Sequence, residues 1–303
     1  MTAAKLADVL GLALADVARE DPRVFVLDGD LADSDGAMHF AERHPERFLM
    51  AGIAEQGMVS TAAGMADSGL RPWVFSFAAF LCYRALDQVR ICLSQSRQPV
   101  VLVGSHAGGL SGRNGKTHAA PNDLAVMLSL PAMAVFAPAD AADARYVVGK
   151  ALELGAPSYI RTPRRLMTES ENLPGNAAPH RWVLPRQTIT LVACGLASQW
   201  AYQTAQYLRD RGIVVGLMHC LQLKPFPDFE RELAGVQHIF CIEDHSRYGG
   251  LASLLAHQLP ARHIHAFGWS PEFSGKSAAD DVLLERNGLT PRAIADAMIE
   301  ILR

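Results

Sequence analysis

Three segments of the sequence place polar or aromatic side chains where they could take part in chemistry. In the first, Glu55 lies in MAGIAEQGMVSTAAGMA (50–66), between a stretch typical of a buried segment and a helix of small residues. A carboxylate in the first turn of a helix is ordinarily stabilised by the helix dipole, and Glu55 taken alone fits that interpretation best. In a partly apolar environment its pKa can also rise, and it can then exchange a proton with a bound heterocycle.

The second segment, FSFAAFLCYRALDQVR (75–90), carries a periodic series of aromatic residues. Phe77, Phe80 and Tyr83 recur every three residues, so on a helix they would cover one sector of its surface. Such a series is ordinarily part of a hydrophobic core. The alternative is a flat slot for a planar ring, because offset stacking favours two aromatic faces.

The third segment, VGSHAGGLSGRNGKTHAAPND (103–123), has His106 and His118 on either side of a glycine-rich loop. Glycine lets a backbone approach a ligand closely or adopt a positive φ. A flexible surface loop is the alternative, but the loop follows a predicted strand, and ligands of α/β proteins bind beyond the carboxyl ends of strands. Two imidazoles without a thiolate disfavour a zinc site.

Two further groups stay open on residue type alone. Asp30 and Ser34 lie in DGDLADSDG (28–36), where ordinary turn chemistry accounts for Asp, Ser and Gly. Arg161 ends the predicted strand in PSYIRTP (157–163), where its guanidinium could pair with an acid or clamp a phosphate bidentately.

The elements that must position these residues show the same sequence pattern along the whole chain. Apolar, β-branched runs without polar alternation are separated by helical patterns, which predicts parallel sheets covered on both faces and an α/β fold class. A chain of 303 residues predicts about two domains. We predict a first domain at 1–166, a linker at 167–187 where proline, glycine and charge leave no periodic pattern, and a second domain at 188–303.

Composition excludes several classes of protein. With 50% hydrophobic and 19% charged residues the chain is not intrinsically disordered, and its net charge of −3 argues against a nucleic-acid partner. No apolar run approaches the ~20 residues that span a bilayer, and the N-terminus is typical of an amphipathic helix rather than a signal peptide. Five cysteines without a CxxC pair fit reduced thiols, so we expect a cytoplasmic protein.

Taken together, these segments resemble the C-terminal half of transketolase and, more closely, the smaller subunit of a split transketolase. GIAEQGM, SFAAFLCY, SHAGGLSGRNGKTH and SYIRTPRR resemble family motifs, in the order in which the family has them. Beyond the linker, ITLVACG, LQLKPFP, CIEDHSRYGGL and the closing FGWSPEFSGKSAADDVLLERNGLT are similar to the family's C-terminal domain. The resemblance therefore covers nearly the whole chain.

The resemblance implies thiamine diphosphate as cofactor. Glu55 matches the glutamate that hydrogen-bonds the pyrimidine ring nitrogen and so activates the cofactor. The other positions that match the cofactor site are the aromatic residues that enclose the aminopyrimidine and the turn beside it: Phe77, Phe80, Tyr83, Asp30 and Leu31. The first predicted domain would then be the pyrimidine-binding domain.

The resemblance also implies contacts with a sugar phosphate. His106 and His118 match histidines near the substrate carbonyl and hydroxyls, suited to proton transfer and oxyanion stabilisation. Ser34 and Arg161 match contacts to the phosphate. Asn114 stands where the family usually has an aspartate, and an amide cannot act as a carboxylate toward a donor hydroxyl. Together with the cation of Lys116, this departure suggests an unusual or modified sugar phosphate, or another acidic acceptor.

A partner subunit is implied as well. Family members bind the diphosphate through Mg²⁺, using a GDG motif and a later asparagine in another domain, whereas this chain has GDL at 29–31 and no suitable asparagine downstream. The chain would then hold no metal itself and would be active only with an N-terminal transketolase subunit, at the interfaces of an α2β2 heterotetramer.

Three alternatives to a ketol-transferring subunit remain at this stage. A 2-oxo acid dehydrogenase β subunit is disfavoured by the sugar-type residues His106, His118 and Arg161. A deoxyxylulose-phosphate-type synthase is ordinarily one long chain. A non-catalytic scaffold or regulatory subunit would need neither Glu55 nor the aromatic slot.

Overall fold

Short strands alternate with helices along the residues that the computed structural model describes, which are 4–110, 112–167 and 172–303. The strands, in chain order, are β1 (Ala4–Lys5), β2 (Val24–Asp28), β3 (Phe48–Met50), β4 (Arg71–Phe77), β5 (Val101–Ser105), β6 (Ala134–Phe136), β7 (Ser158–Arg161), β8 (Leu166–Met167), β9 (His180–Leu184), β10 (Ile189–Ala193), β11 (Gly216–Cys220), β12 (Gln222–Lys224), β13 (His238–Ser246) and β14 (Ile264–Trp269).

The helices pack on the faces of the sheets. They are α1 (Leu6–Val17), α2 (Ala32–Asp35), α3 (Met38–Arg43), α4 (Glu55–Asp67), α5 (Leu86–Gln88), α6 (Asp123–Ser129), α7 (Ala141–Leu154), α8 (Ala197–Arg209), α9 (Phe229–Glu232), α10 (Leu251–Gln258), α11 (Asp280–Arg286) and α12 (Pro291–Ile301). The chain also forms 3-10 turns at Pro45–Arg47 and Gly112–Thr117, and π-helical turns at Phe80–Arg84 and Val89–Gln95.

The first sheet has seven strands in the order β12-β6-β7-β5-β4-β2-β3. All neighbouring pairs are parallel except β12 with β6. Strands β4 and β5 are buried along almost their whole length, as expected for a parallel sheet covered by helices on both faces. Because parallel strands end at one edge, the segments that follow β2, β3, β4 and β5 emerge side by side.

The second sheet has five strands in the order β14-β13-β10-β11-β9 and is parallel except for β9. The α/β fold class with a mostly parallel sheet in each half is thereby confirmed. Strand β9 lies inside the predicted linker, so that segment is partly structured: His180–Leu184 pairs antiparallel with β11. The exact domain ranges stay a prediction, since β12, from the second predicted domain, pairs with β6 of the first sheet.

Helix ends follow local sequence rules. The Thr290 hydroxyl accepts a hydrogen bond from the Ala293 N–H, and Pro291 is the first residue of α12. The Asp140 side chain likewise accepts from the Asp143 N–H at the start of α7, and Gly155 ends that helix at φ 54°.

The two sheets share a buried interface. One continuous apolar cluster contains Val74 and Leu102 of the first sheet together with Val192 and Met218 of the second. A polar cluster at the start of α7 crosses the same interface. In it, Arg181 of β9 forms ion pairs with Asp140 and Asp143 of the first domain.

Asp143 has a second partner across the interface. The Nε2 of His219 lies 2.9 Å from the Asp143 carboxylate, and the Oγ of Ser198 lies 2.7 Å from His219 Nδ1. All three side chains are buried. The buried Asp143 carboxylate compensates the charge of the Arg181 guanidinium, so removing Asp143 leaves that guanidinium only partly compensated.

We therefore expect the substitution Asp143→Ala to lower the free energy of unfolding by about 3–5 kcal/mol, because it leaves the buried Arg181 guanidinium partly unpaired. Urea unfolding of the full chain measures this. The control is Asp296→Ala, which removes a half-exposed carboxylate next to Arg211 and Arg292 and is expected to cost less than about 1 kcal/mol. Equal effects of the two substitutions would contradict the assignment of Asp143 to a compensated buried cluster.

Candidate active site

Glu55 is the first residue of α4 and its side chain is fully buried. Its Oε2 accepts a hydrogen bond from Arg84 Nη1 at 2.7 Å, and its Oε1 accepts only a long one, 3.4 Å from the Ser76 Oγ. A carboxylate without water must be compensated in this way, so Arg84 joins the candidate site residues although the sequence motifs did not single it out. The signal was present as an arginine directly after the aromatic series.

The aromatic residues do not lie on one α-helix as their spacing predicts. Phe77 is the last residue of β4, and Phe80 begins the π-helical turn Phe80–Arg84. The rings of Phe77 and Phe80 nevertheless stack, with centroids 5.6 Å apart and planes 25° apart. Tyr83 is about half exposed, and the Arg84 guanidinium lies 4.2 Å from the centre of the Phe80 ring.

Both predicted histidines lie against this aromatic pair. His106 directly follows β5, and its ring centroid lies 4.0 Å from that of Phe77. The ring of His118 is 5.7 Å from Phe77 and 5.3 Å from Phe80. The Thr117 Oγ1, which the motifs did not single out, lies 2.7 Å from His118 Nδ1.

The glycine-rich loop brings the two histidines together. The Ala120 N–H donates to the Gly108 carbonyl at 2.8 Å and forms an antiparallel bridge between the two arms of the loop. His106 and His118 each precede a residue of this bridge by two positions, so the bridge sets their separation. Asn114 and Lys116 are exposed between the arms, in the turn Gly112–Thr117.

The turn after β2 carries the other predicted cofactor residues. Asp30 is exposed with φ 69°, and the Leu31 N–H donates to the Asp28 carboxylate at 2.8 Å. Burial raises the pKa of both Asp28 and Asp35 beneath this turn. The Ser34 hydroxyl donates to the Leu31 carbonyl at 3.0 Å.

Of the two alternatives for Arg161, the structure contains the ion pair. The Arg161 Nε lies 2.9 Å from the carboxylate of Asp123, Nη2 donates to the Asp244 carbonyl at 2.9 Å, and the side chain is buried. The phosphate contact of Arg161 stays a prediction. Arg164 is a further candidate, since it is exposed and lines a cavity of about 620 Å³ between the two domains.

Burial lowers the pKa of His106 to about 3, and the nearby charges of Arg164, Lys5 and His118 act in the same direction. His106 is therefore a neutral imidazole at physiological pH. Lys5 also donates to the Ser34 carbonyl at 3.4 Å, so the cations around His106 extend toward the turn after β2.

No helix among the described residues has the length and apolar character needed to cross a bilayer. Over 4–110, 112–167 and 172–303, no three His, Cys, Asp or Glu side chains gather in an arrangement that could hold a metal ion.

A buried carboxylate, a stacked aromatic pair and a neutral histidine meet at the carboxyl edge of a parallel sheet. These residue types, in this arrangement, are suited to contact with a flat ring that exchanges protons.

Comparison with known proteins supplies the family. Residues 2–169 match the family described as transketolase, pyrimidine binding domain. A putative transketolase C-terminal section of Methanocaldococcus jannaschii is 30% identical, over 96% of this chain and 94% of its own length. A 6-deoxy-6-sulfo-D-fructose transketolase subunit of Clostridium sp. is 30% identical, over 95% and 91%.

A solved structure agrees with these relatives. It is described as a split gene transketolase, inactive beta4 tetramer, and it matches with a TM-score of 0.87 and 33% identity over 98% of this chain and 97% of that chain. The chain belongs to the transketolase family and corresponds to its C-terminal, pyrimidine-binding section. The recognition made from the sequence motifs is confirmed, while the roles of individual site residues stay predictions.

We expect His106 to remain unprotonated at pH 5, because its environment disfavours the cation. Its pKa in the folded chain lies below the ordinary value of 6.5, so the unfolded state binds the proton first. Its contribution to stability is therefore complete above pH 6.5 and is lost progressively as the pH falls toward 3. Nitrogen-15 NMR of the imidazoles, assigned with His106→Gln, measures this, and a His106 signal that titrates near pH 6.5 would contradict it.

We expect the substitution Arg84→Ala to destabilise the chain by about 1–3 kcal/mol, since the buried Glu55 carboxylate loses its charged donor. Arg90→Ala is a matched control, because Arg90 is exposed to 46% against 43% for Arg84 but pairs with the exposed Asp87. Urea unfolding of both variants tests the expectation, and equal losses of stability would refute it.

Proposed function

We propose that the chain is the C-terminal subunit of a split, thiamine diphosphate-dependent transketolase. The enzyme would move a two-carbon ketol unit from a sugar or sugar-phosphate donor to an aldose acceptor. The observation that carries the proposal is the fully buried Glu55 beside the Phe77–Phe80 stack, with His106 4.0 Å from the Phe77 ring.

The residues fit the aminopyrimidine ring of the cofactor. The Arg84 guanidinium, a flat group with hydrogen-bond donors, already stacks on Phe80 and pairs with Glu55. The same two side chains can therefore hold a planar ring whose nitrogen hydrogen-bonds to the carboxylate. When bound, thiamine diphosphate supplies a carbanion nucleophile that also serves as an electron sink.

Three residues of the chain would provide the proton transfers and hydrogen bonds that the reaction needs. Glu55 would hold a proton at its carboxylate toward the ring nitrogen, in a place from which water is excluded. The neutral His106 can donate a hydrogen bond to a developing oxyanion without carrying charge itself. His118 can transfer a proton, with its ring oriented by the hydroxyl of Thr117.

An anionic sugar is the substrate class that the charges favour. Lys5 and Arg164 act on His106, and Lys116 is exposed at the mouth of the loop. The Clostridium relative is a 6-deoxy-6-sulfo-D-fructose transketolase subunit, and another relative, 30% identical, is a subunit of the apulose-4-phosphate transketolase of Phocaeicola vulgatus. Asn114 in place of the family's aspartate supports a modified sugar phosphate or another acidic sugar.

A second subunit would hold the diphosphate and Mg²⁺. The chain has GDL at 29–31 instead of a GDG motif, and its split-gene relative is described as inactive when assembled as a β4 tetramer. Exposed apolar side chains lie immediately before the buried Glu55, namely Leu49, Met50 and Ile53, the last exposed to 72%. They support a partner that closes the site, and we propose an α2β2 assembly.

The decisive experiment is reconstitution. The chain is co-expressed with a candidate subunit carrying a GDG…N motif, given thiamine diphosphate and Mg²⁺, and assayed with ketose donors. We expect turnover only in the complex, and a loss of about 10²–10⁴-fold in kcat for Glu55→Gln. The exposed Glu46→Gln is the control and should keep full activity. Turnover by the chain alone would overturn partner dependence, and turnover that survives Glu55→Ala would favour a scaffold subunit.

Donor preference tests the specificity assignment. We expect Asn114→Asp to raise kcat/KM for ordinary ketose phosphates relative to the native donor, because a carboxylate can accept a hydrogen bond from a donor hydroxyl. Asn122→Asp, at the exposed N-cap of α6, adds the same charge outside the loop turn and serves as the control. An unchanged ratio of kcat/KM values in Asn114→Asp would show that this position does not set specificity.

A further inference from the structure

The end of β13 packs against the histidine loop, by which we mean residues 106–110 and 112–120 of the described chain. Three consecutive residues of the second domain, Asp244, His245 and Ser246, contact the first domain here, and all three are buried. Their contacts fall on the first arm of the loop, on Pro121 directly after the loop and on the helix α6 that follows.

The loop has an outgoing arm, residues 106–110, and a returning arm, residues 118–120. Asp244 holds the outgoing arm. Its Oδ1 accepts hydrogen bonds from the Gly109 N–H at 2.9 Å and from the Trp269 indole N–H at 2.7 Å. A Cβ on Gly108 would overlap the Asp244 carboxylate, and a Cβ on Gly109 would overlap the Trp269 ring. The two glycines therefore serve close packing against the second domain, in addition to the positive φ of Gly108.

The residues directly after the returning arm are held by His245 and Ser246. The Ser246 N–H donates to the Pro121 carbonyl at 2.7 Å, and the Ala125 N–H donates to His245 Nε2 at 3.2 Å. On the outer side, a Cβ on Gly275 would overlap Ala119. The outgoing arm and the residues directly after the loop are thus held by one strand end.

The fixed points lie very close to the histidines. Gly108 and Gly109 follow His106 by two and three residues, and the Gly108–Ala120 bridge transmits their position to His118. Asp244 does not lie among the aromatic or histidine side chains of the site. Any effect on chemistry must therefore pass through the backbone of the loop.

We propose that Asp244 is a positioning residue, through which the second domain sets the placement of His106 and His118. The proposal rests on the proposed function, since it assigns those histidines to the reaction. Misplacement of a reacting group by about 1 Å can cost about 100-fold in rate, so a loosened loop should lower turnover. Cofactor affinity should change little, because Glu55, Phe77 and Phe80 belong to elements that Asp244 does not contact.

The test compares variants in the reconstituted complex. Asp244→Ala removes the acceptor, whereas Asp244→Asn keeps an oxygen that can accept from Gly109 and Trp269. We expect kcat to fall about 10–100-fold for Asp244→Ala and less than about 3-fold for Asp244→Asn, with the concentration of thiamine diphosphate at half-saturation within about 2-fold for both. Trp269→Phe removes one of the two hydrogen-bond donors to the Asp244 carboxylate, and its kcat should lie between those of the two Asp244 variants.

A matched control separates positioning from general loosening of the interface. Gln199→Ala removes one buried interdomain hydrogen bond, from Gln199 Nε2 to the Ala139 carbonyl at 3.1 Å, without contacting the loop. It should lower the melting temperature but leave kcat unchanged. If Gln199→Ala and Asp244→Ala lose kcat in the same proportion to their loss of stability, the proposal is overturned.

Amide hydrogen exchange on the full chain gives a readout that needs no turnover. Asp244→Ala should accelerate exchange at the Gly109 and Ala120 amides by at least about 10-fold, with Asp244→Asn and Gln199→Ala close to the wild type. Unchanged exchange in Asp244→Ala refutes the positioning role even if the complex is active. An inactive wild-type complex would instead refute the proposed function, and the exchange result would still decide whether Asp244 holds the loop. If Asp244→Ala fails to fold, Trp269→Phe carries the same comparison.

Discussion

A carboxylate removed from water has to be compensated, and the site of this chain is organised around that requirement at Glu55. The start of α4 supplies a helix dipole, Arg84 supplies a charged donor, and the aromatic pair beside them keeps water out. Glu55 begins α4, whereas the aromatic pair and Arg84 belong to one continuous segment, 77–84, and the common edge of a parallel sheet brings the two segments together. The Arg84 side chain is about half exposed, so the buried charge of Glu55 lies close to the surface of the chain.

The second domain contributes geometry to a site whose side chains all belong to the first. Its β13 end forms the wall against which the histidine loop is packed, and glycines at the contact allow the two backbones to approach closely. Two buried contacts cross between the domains on either side of this wall, from Arg161 Nη2 to the Asp244 carbonyl and from Arg181 to Asp143, and they allow little relative sliding of the domains. The two halves therefore behave as one support for the site.

Much of this could be predicted from the sequence, and the gaps have physical causes. The parallel α/β architecture followed from uniformly apolar strands, and the motifs identified the family. The aromatic spacing was misassigned to one helix, because a strand end followed by a π-helical turn also brings Phe77 and Phe80 face to face. The surroundings of Arg161, Arg84 and Asp244 depend on contacts between residues far apart in the chain, which local patterns do not encode.

The pairing of β12 with β6 of the first sheet has a consequence for how such a chain can be divided. The first sheet receives its last strand from residues that follow β11 of the second sheet. Severing the chain between the two sheets would strip β6 of that neighbour and leave open backbone donors and acceptors, a surface prone to self-association. A gene boundary within this pair of domains would therefore carry a physical penalty. A boundary upstream of β1 leaves the seven-stranded sheet intact.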